Sequence, residues 1–460
     1  MIKDILHVKA PGNWINDPNG FIYYKGNYHL FYQYFPYAPE WGTMHWGHAV
    51  SEDLVHWQHL GVALYPTKDY DRNGIFSGSA MEKDGELYLY YSAVKYLEAE
   101  EENIHLAKDE KFETSQAMII SEDGVHFDNI HEKKQIIPVI YEEEIGHPTH
   151  TRDPKVWKHH DRYYMILGST ITGIKGRALF YTSTDGRTWN YANQYTHKDF
   201  GTVLECPDLF ELQGQYVFQG SPMHIMDDGL EYASHPVCAL ADFGEENCEL
   251  CLSSKMQIVD YGLDLYAPQT NIDKDGNRVM IAWMRMPKAV NSNGERGVWN
   301  GMMCVPRIME IRENHIYFRL HPQTDQYLSR EIKDRESLDW KQPFRIKAVL
   351  KQGDRLDIGG YQIVAEDDRI RTDRSKVFGS MEGYRLKAET PELGGRYELD
   401  ILVDENLIEI FVNEGQYVLS HVVYNLQKKL IGPVDKILSG AEDEYEEKCC
   451  CISEKISKTS

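Results

Sequence analysis

Three carboxylic acids stand in settings that strand packing alone does not require: Asp17 in "PGNWINDPNG", Asp153 in "RDP" and Glu205 in "ECPD". Taken singly each has a plain reading. An Asp between Asn and Pro suits an Asx turn, and "RDP" suits a turn with a surface ion pair. Brought to one place they would do more, because glycoside hydrolysis needs two carboxyl groups, one ionised and one holding a proton. Trp14, Asn16, Gln33, Trp41, Trp46 and Phe76 supply the aromatic faces and amides of a sugar pocket.

The elements that would bring them together are legible as a repeat. "FIYYKGNYHLFYQY", "SAMEKDGELYLYYSA", "KVWKHHDRYYMILGS", "DLFELQGQYVFQGS" and "TNIDKDGNRVMIAWM" each read as strand, tight turn, strand, with turns near Gly26, Gly85, Asp161, Gly214 and Gly276. A spacing of about 50 to 75 residues suits four-stranded units with decorated loops. The expected fold is therefore all-β, a five-bladed β-propeller. "NDPNG", "FSGS", "RDP", "ECPD" and "YAPQ" each open one hairpin. Equivalent positions of a propeller converge on its axis, so Asp17, Asp153 and Glu205 should meet at one end of the central channel.

Bulk properties narrow the function. At 460 residues the chain exceeds one core, since single cores stop growing at about 250 to 300 residues. A net charge of -23 repels a phosphate backbone, which argues against nucleic acid and anionic membranes as partners. No apolar stretch approaches the roughly 20 residues of a membrane span, and "MIKDILHVKA" lacks a signal-peptide core. A cytoplasmic protein is expected. Eight cysteines are too sparse for a disulfide scaffold.

Other chemistries are poorly represented. There is no Gly-rich phosphate loop, G-x-S-x-G elbow or Rossmann fingerprint. "NCELC" and the triplet Cys449 to Cys451 do not form a zinc pattern, and His147, His150, His159 and His160 lack a carboxylate partner at a helical step. No metal and no cofactor are expected.

"WINDPNG", "MHWGHAVSEDLVHW", "FSGS", "RDP", "ECPDLF", "YAPQ" and "WNGMMCVPR", in that order across residues 11 to 307, resemble the motif set of the β-fructosidases of glycoside hydrolase family 32. That family includes invertases, sucrose-6-phosphate hydrolases and fructan exohydrolases. The resemblance implies a propeller followed by a C-terminal β-sandwich, and retaining hydrolysis of terminal β-D-fructofuranosides through a covalent intermediate. The alternation in "RYELDILVDENLIEIFVNEGQYVLSHVV" fits the sandwich. The expected domains are 1–320 (propeller) and 345–445 (sandwich), with a linker around 320–345 and a tail at 446–460.

By the resemblance, Asp17 is the nucleophile, Glu205 the acid/base and Asp153 the transition-state stabiliser. Turn hydrogen bonds should hold the Asp17 pKa low. Substrate contacts are expected from Asn16, Gln33, Trp41, Phe76, Ser77, Arg152, Tyr261 and Trp283. Thr151 stands where relatives commonly have Phe, and Asp264 to Ala267 read "DLYA" for "DFYA". Both bear on what lies beyond the fructosyl unit. Sucrose, short fructo-oligosaccharides and sucrose 6-phosphate remain open as substrates; a phosphate would need Lys or Arg at the rim, with Lys175, Arg177, Arg285 and Lys288 as candidates. An inverting arabinan- or xylan-type hydrolase and a non-catalytic sugar-binding propeller are the alternatives, and a sandwich on a propeller offers a homodimer surface.

Overall fold

The computed structural model describes residues 2–224, 232, 234–292 and 294–440; the tail expected at 446–460, with Cys449 to Cys451, lies outside them. Among the described residues the regular structure is almost all β-strand, with α-helices only at Pro322–Tyr327 and Ser375–Phe378. Residues 3 to 320 form five antiparallel-rich sheets in chain order. The hairpin turns account for their regularity. Lys25–Gly26, Asp84–Gly85 and Gln213–Gly214 all have positive φ at both residues, which matches the right-handed twist of the strands they join.

One long strand opens each of the five sheets: Asn13–Tyr24 (β1), Gly74–Lys83 (β2), Arg152–His159 (β3), Leu204–Leu212 (β4) and Leu265–Ile272 (β5). Each of these packs against the next, and β5 returns to β1, closing a ring. Strand Val298–Asn300 pairs in parallel with the start of β1, so the end of this region is stitched to its beginning. Burial is nearly continuous along β2 and along strand Glu86–Tyr96. That follows from sheets packed on both faces, as does the aromatic content of the cores between them.

Residues 328 to 440 form a six-stranded and a five-stranded sheet. Their inward side chains, among them Ile346, Ile401, Ile410 and Leu419 from one and Leu356, Ile358, Ile363 and Ile370 from the other, share one apolar core. The stretch expected as a linker, 320–345, carries the first helix and the edge strand Leu328–Glu331, which pairs with Lys436–Gly440.

A buried ionic seam joins these two sheets to the preceding five. His7 bonds Asp404 and Glu409, both at 2.9 Å, and Lys9 pairs with Asp404 at 2.9 Å. Arg307, fully buried, reaches Asp260 at 2.9 Å and Glu409 at 2.5 Å, and donates to Ser420 Oγ at 2.7 Å. Arg374 pairs with Asp264. Burial would lower the His7 pKa, but the two carboxylates outweigh it and push His7 up to about 9.

Candidate active site

All five ring strands break register at the same level. The shifts lie between Ile15 and Pro18, Phe76 and Gly78, Arg152 and Lys155, Glu205 and Asp208, and Tyr266 and Gln269. These are β-bulges, which re-aim side chains and are common beside active sites. Asp153, Cys206 and Ala267 take left-handed φ values of 65, 45 and 49°, sparsely populated for residues with a Cβ. The sequence carries a signal for this. Pro18, Pro154, Pro207 and Pro268 each follow the re-aimed residue, and Gly78 stands there in β2. Proline has no N–H for the ladder, so within sheets it marks edges and bulges.

The bulges open onto one cavity of about 460 Å³, lined by Asn16, Asp17, Gln33, Trp41, Phe76, Tyr96, Glu100, Leu106, Ala107, Glu110, Phe112, Arg152, Asp153, Glu205, Tyr266 and Trp283. Asp17 Oδ2 accepts from Ser77 Oγ at 2.6 Å and from Gln33 Nε2 at 3.4 Å, while Asn16 Nδ2 donates to Oδ1 at 3.3 Å. Asn16 is itself held by the Trp14 indole at 2.9 Å. Glu205 accepts from Arg152 on Oε1 at 2.8 Å and from the Tyr266 hydroxyl on Oε2 at 2.6 Å. Asp153 Oδ2 accepts from Cys206 N at 2.9 Å, and its own N–H donates to Ser92 Oγ at 2.8 Å. The Cys206 thiol stands between two carboxylates, 3.5 Å from Asp17 Oδ2 and 3.7 Å from Asp153 Oδ2.

One buried guanidinium thus serves two of the three acids, Glu205 and Asp153. Burial raises the Asp153 pKa to about 7, against the pull of Arg152 and with the charges of Glu205 and Asp17 adding to the rise. Asp17 is raised as well, by burial and by Glu205, despite hydrogen bonds from Ser77, Asn16 and Cys206. This corrects the expectation that turn hydrogen bonds hold Asp17 low. Desolvation among like charges is the larger effect. The cluster therefore keeps a proton near neutrality while still exposing carboxylate oxygens to the cavity.

Ten of the eleven expected site residues come together here, Ser77 through its bond to Asp17. Tyr261 does not. It packs edge-on against Tyr417, and its N–H donates to Val418 O, at the boundary with the C-terminal sheets. Five residues further on, Tyr266 occupies the pocket, and Arg285 stacks on its ring at 4.7 Å. Tyr96, Glu100, Glu110 and Phe112, unanticipated, come from the ends of strands Glu86–Tyr96 and Phe112–Ser121 and the segment between them. None of the four candidate phosphate-binding cations lines the cavity. Arg177 is buried and donates to Glu143 O and Thr170 O. Among the described residues, His159, His160 and Glu245 gather potential metal ligands within 4.8 Å. Glu245 is the carboxylate partner the sequence did not reveal, but the group lies away from this cavity and Glu245 already accepts from Tyr216 at 2.8 Å.

The chain matches two family models: "Glycosyl hydrolases family 32 N-terminal domain" over residues 7–322 and "Glycosyl hydrolases family 32 C terminal" over residues 335–433. It is 31% identical to a sucrose-6-phosphate hydrolase of Escherichia coli, covering 91% of this chain and 88% of that protein. To a raffinose invertase of Escherichia coli it is also 31% identical, over 91% and 89% of the two chains. Among solved structures, a β-fructofuranosidase of Bombyx mori in complex with sucrose superposes with a TM-score of 0.77 at 27% identity, covering 94% of this chain and 92% of that one.

Proposed function

We propose catalytic roles for this cavity from the premise that the chain belongs to glycosyl hydrolase family 32, a glycoside hydrolase that cleaves β-fructofuranosides. Asp17 attacks the anomeric C2 of a terminal fructosyl unit. Glu205 protonates the departing oxygen and then takes a proton from the water that releases fructose, so that two displacements retain the β configuration. Asp153 accepts from fructosyl hydroxyls and stabilises the charge that develops at C2. The observation that carries this reading is the convergence of the three acids, through three separate bulges, on one cavity walled by Trp41, Phe76 and Trp283.

The donors fit the assigned roles. Arg152 occupies Glu205 Oε1, which directs a proton to Oε2, where the Tyr266 hydroxyl can turn from donor to acceptor. Ser77 and Gln33 orient Asp17 by its Oδ2. We read the ring of five sheets as a five-bladed propeller spanning 1–320, and the two sheets sharing one core as the sandwich of 345–445, extended by the edge strand that precedes it. The substrate is a small or oligomeric β-fructofuranoside. Free cysteines at 206, 238, 248, 251 and 304 support a reducing, cytoplasmic setting.

The test is turnover of sucrose in aqueous methanol. Retention predicts methyl β-D-fructofuranoside beside fructose, because methanol can replace water on a covalent intermediate. Asp17→Asn should lose at least about 10³-fold in kcat with an unchanged circular dichroism spectrum. Fructose without any methyl β-fructoside would favour inversion, and no fructose at all would point to a binding protein.

A further inference from the structure

The wall that faces the cavity mouth is a segment unlike the rest of the site. Residues 97–111, "LEAEEENIHLAKDEK", join strands Glu86–Tyr96 and Phe112–Ser121 and fold back on themselves. Ala99 bridges Ala107, Glu100 N–H donates to Leu106 O, and Lys108 N–H donates to Glu98 O. The fold-back is pinned to the neighbouring sheet. His105 Nδ1 lies 2.9 Å from Thr43 Oγ1, and the Tyr96 hydroxyl donates to His105 O at 2.8 Å.

Six carboxylates in this arm face two lysines, and both lysines are engaged within the arm, Lys111 also lying 3.5 Å from Asp109. Lys108 and Lys111 pair with Glu98 at 2.7 and 3.0 Å. Glu100 and Glu110 instead line the cavity, where Arg152 is the only Lys or Arg among the described lining residues. Arg152 is buried and already shared between Glu205, at 2.8 Å, and Asp153, at 4.0 Å. A dianionic group at the mouth would meet two glutamates and no available donor of positive charge.

We propose that the 97–111 arm, through Glu100 and Glu110, selects fructosides with an uncharged leaving group and disfavours those phosphorylated on it. The proposal rests on the fructofuranosidase reading of the same cavity. With the fructosyl unit held over Asp17 and Asp153, the aglycone points toward the mouth and so toward the arm. Neutral hydroxyls can donate to the two glutamates, whereas a phosphate oxygen cannot. This chain would then part from the relatives named for sucrose 6-phosphate, although the cleaved bond is the same.

The experiment compares kcat/KM for fructose release from sucrose and from sucrose 6-phosphate at low and moderate ionic strength, in the wild type and in the Glu100→Gln/Glu110→Gln double variant. The wild type should prefer sucrose by about tenfold or more at low salt, with the preference shrinking as salt screens the mouth. The double variant should narrow the ratio by at least about threefold. A wild-type enzyme that prefers the phosphorylated sugar overturns the proposal, and a double variant with an unchanged ratio overturns the assignment to these glutamates. Failure of the underlying reading looks different: folded wild-type protein would release fructose from neither sugar.

Discussion

At the scale of single residues, the site keeps a protonatable acid by crowding. Asp153 has its carboxyl raised from 3.8 to about 7, so between those pH values the folded protein holds a proton there that the unfolded chain gives up. The stability this gives is complete below about pH 4 and is lost as pH rises through 7. Asparagine is neutral at every pH. Asp153→Asn should therefore unfold at a higher temperature than wild type at pH 8, with the gain fading toward pH 4 in a thermal series. The same change should cut kcat by about 10² to 10⁴-fold, as loss of a transition-state interaction does. Removing a negative charge also eases proton loss from the remaining acids, so the basic limb of kcat/KM should move to lower pH.

The three acids were legible because Asn, Pro and Arg around them made little sense as strand packing once the hairpins repeated. Their protonation was not. Burial depends on which other strands arrive, and the turn at Asp17 alone suggested the opposite direction. The choice of Tyr261 over Tyr266 failed for a related reason. Tyr261 precedes the ring strand β5 and Tyr266 lies within it, and only the bulge after Tyr266, with Pro268 as its local sign, tells which one faces the cavity.

At the scale of elements, hairpins and their turns could be read from period-2 runs around Gly, but bulges interrupt that period by one residue and look like noise in it. Close approach between neighbouring sheets is equally silent in the sequence. Gly168, on the strand Arg162–Ile171 paired to β3, faces β4 so closely that a Cβ there would lie 2.2 Å from Leu204 O and 3.3 Å from Glu205 Cα. Gly168→Ala must push β4 at the position that carries Glu205. The expected outcome is a loss of about 1 to 3 kcal/mol in stability by denaturant titration, together with a fall in kcat of about tenfold or more.

At the scale of the whole molecule, the two regions are less separable than composition and spacing suggest. The seam of His7, Lys9, Asp260, Arg307, Asp404 and Glu409 pairs residues nearly the full chain apart, His7 and Asp404 by 397 positions, and no local pattern announces such a contact. Protonated His7 completes it. Its pKa rises from 6.5 to about 9, so its contribution, roughly 3 kcal/mol at 1.36 per unit, is full below pH 6.5 and lost as pH rises through 9. His7→Gln should lower the unfolding midpoint most at pH 6 and flatten its dependence between pH 6.5 and 9; an unchanged slope would mean the seam titrates elsewhere.

The ring of bulges also bears on which parts of the chain can change in length. Within β1 to β5, inserting or deleting one residue would reverse inward and outward for everything beyond it and turn Asp17, Asp153 or Glu205 away from the cavity. Residues 97–111 lie outside any long ladder, and their length can change with the strands on either side left in register. Insertions and deletions can therefore reshape what enters the mouth while the reacting groups stay where they are.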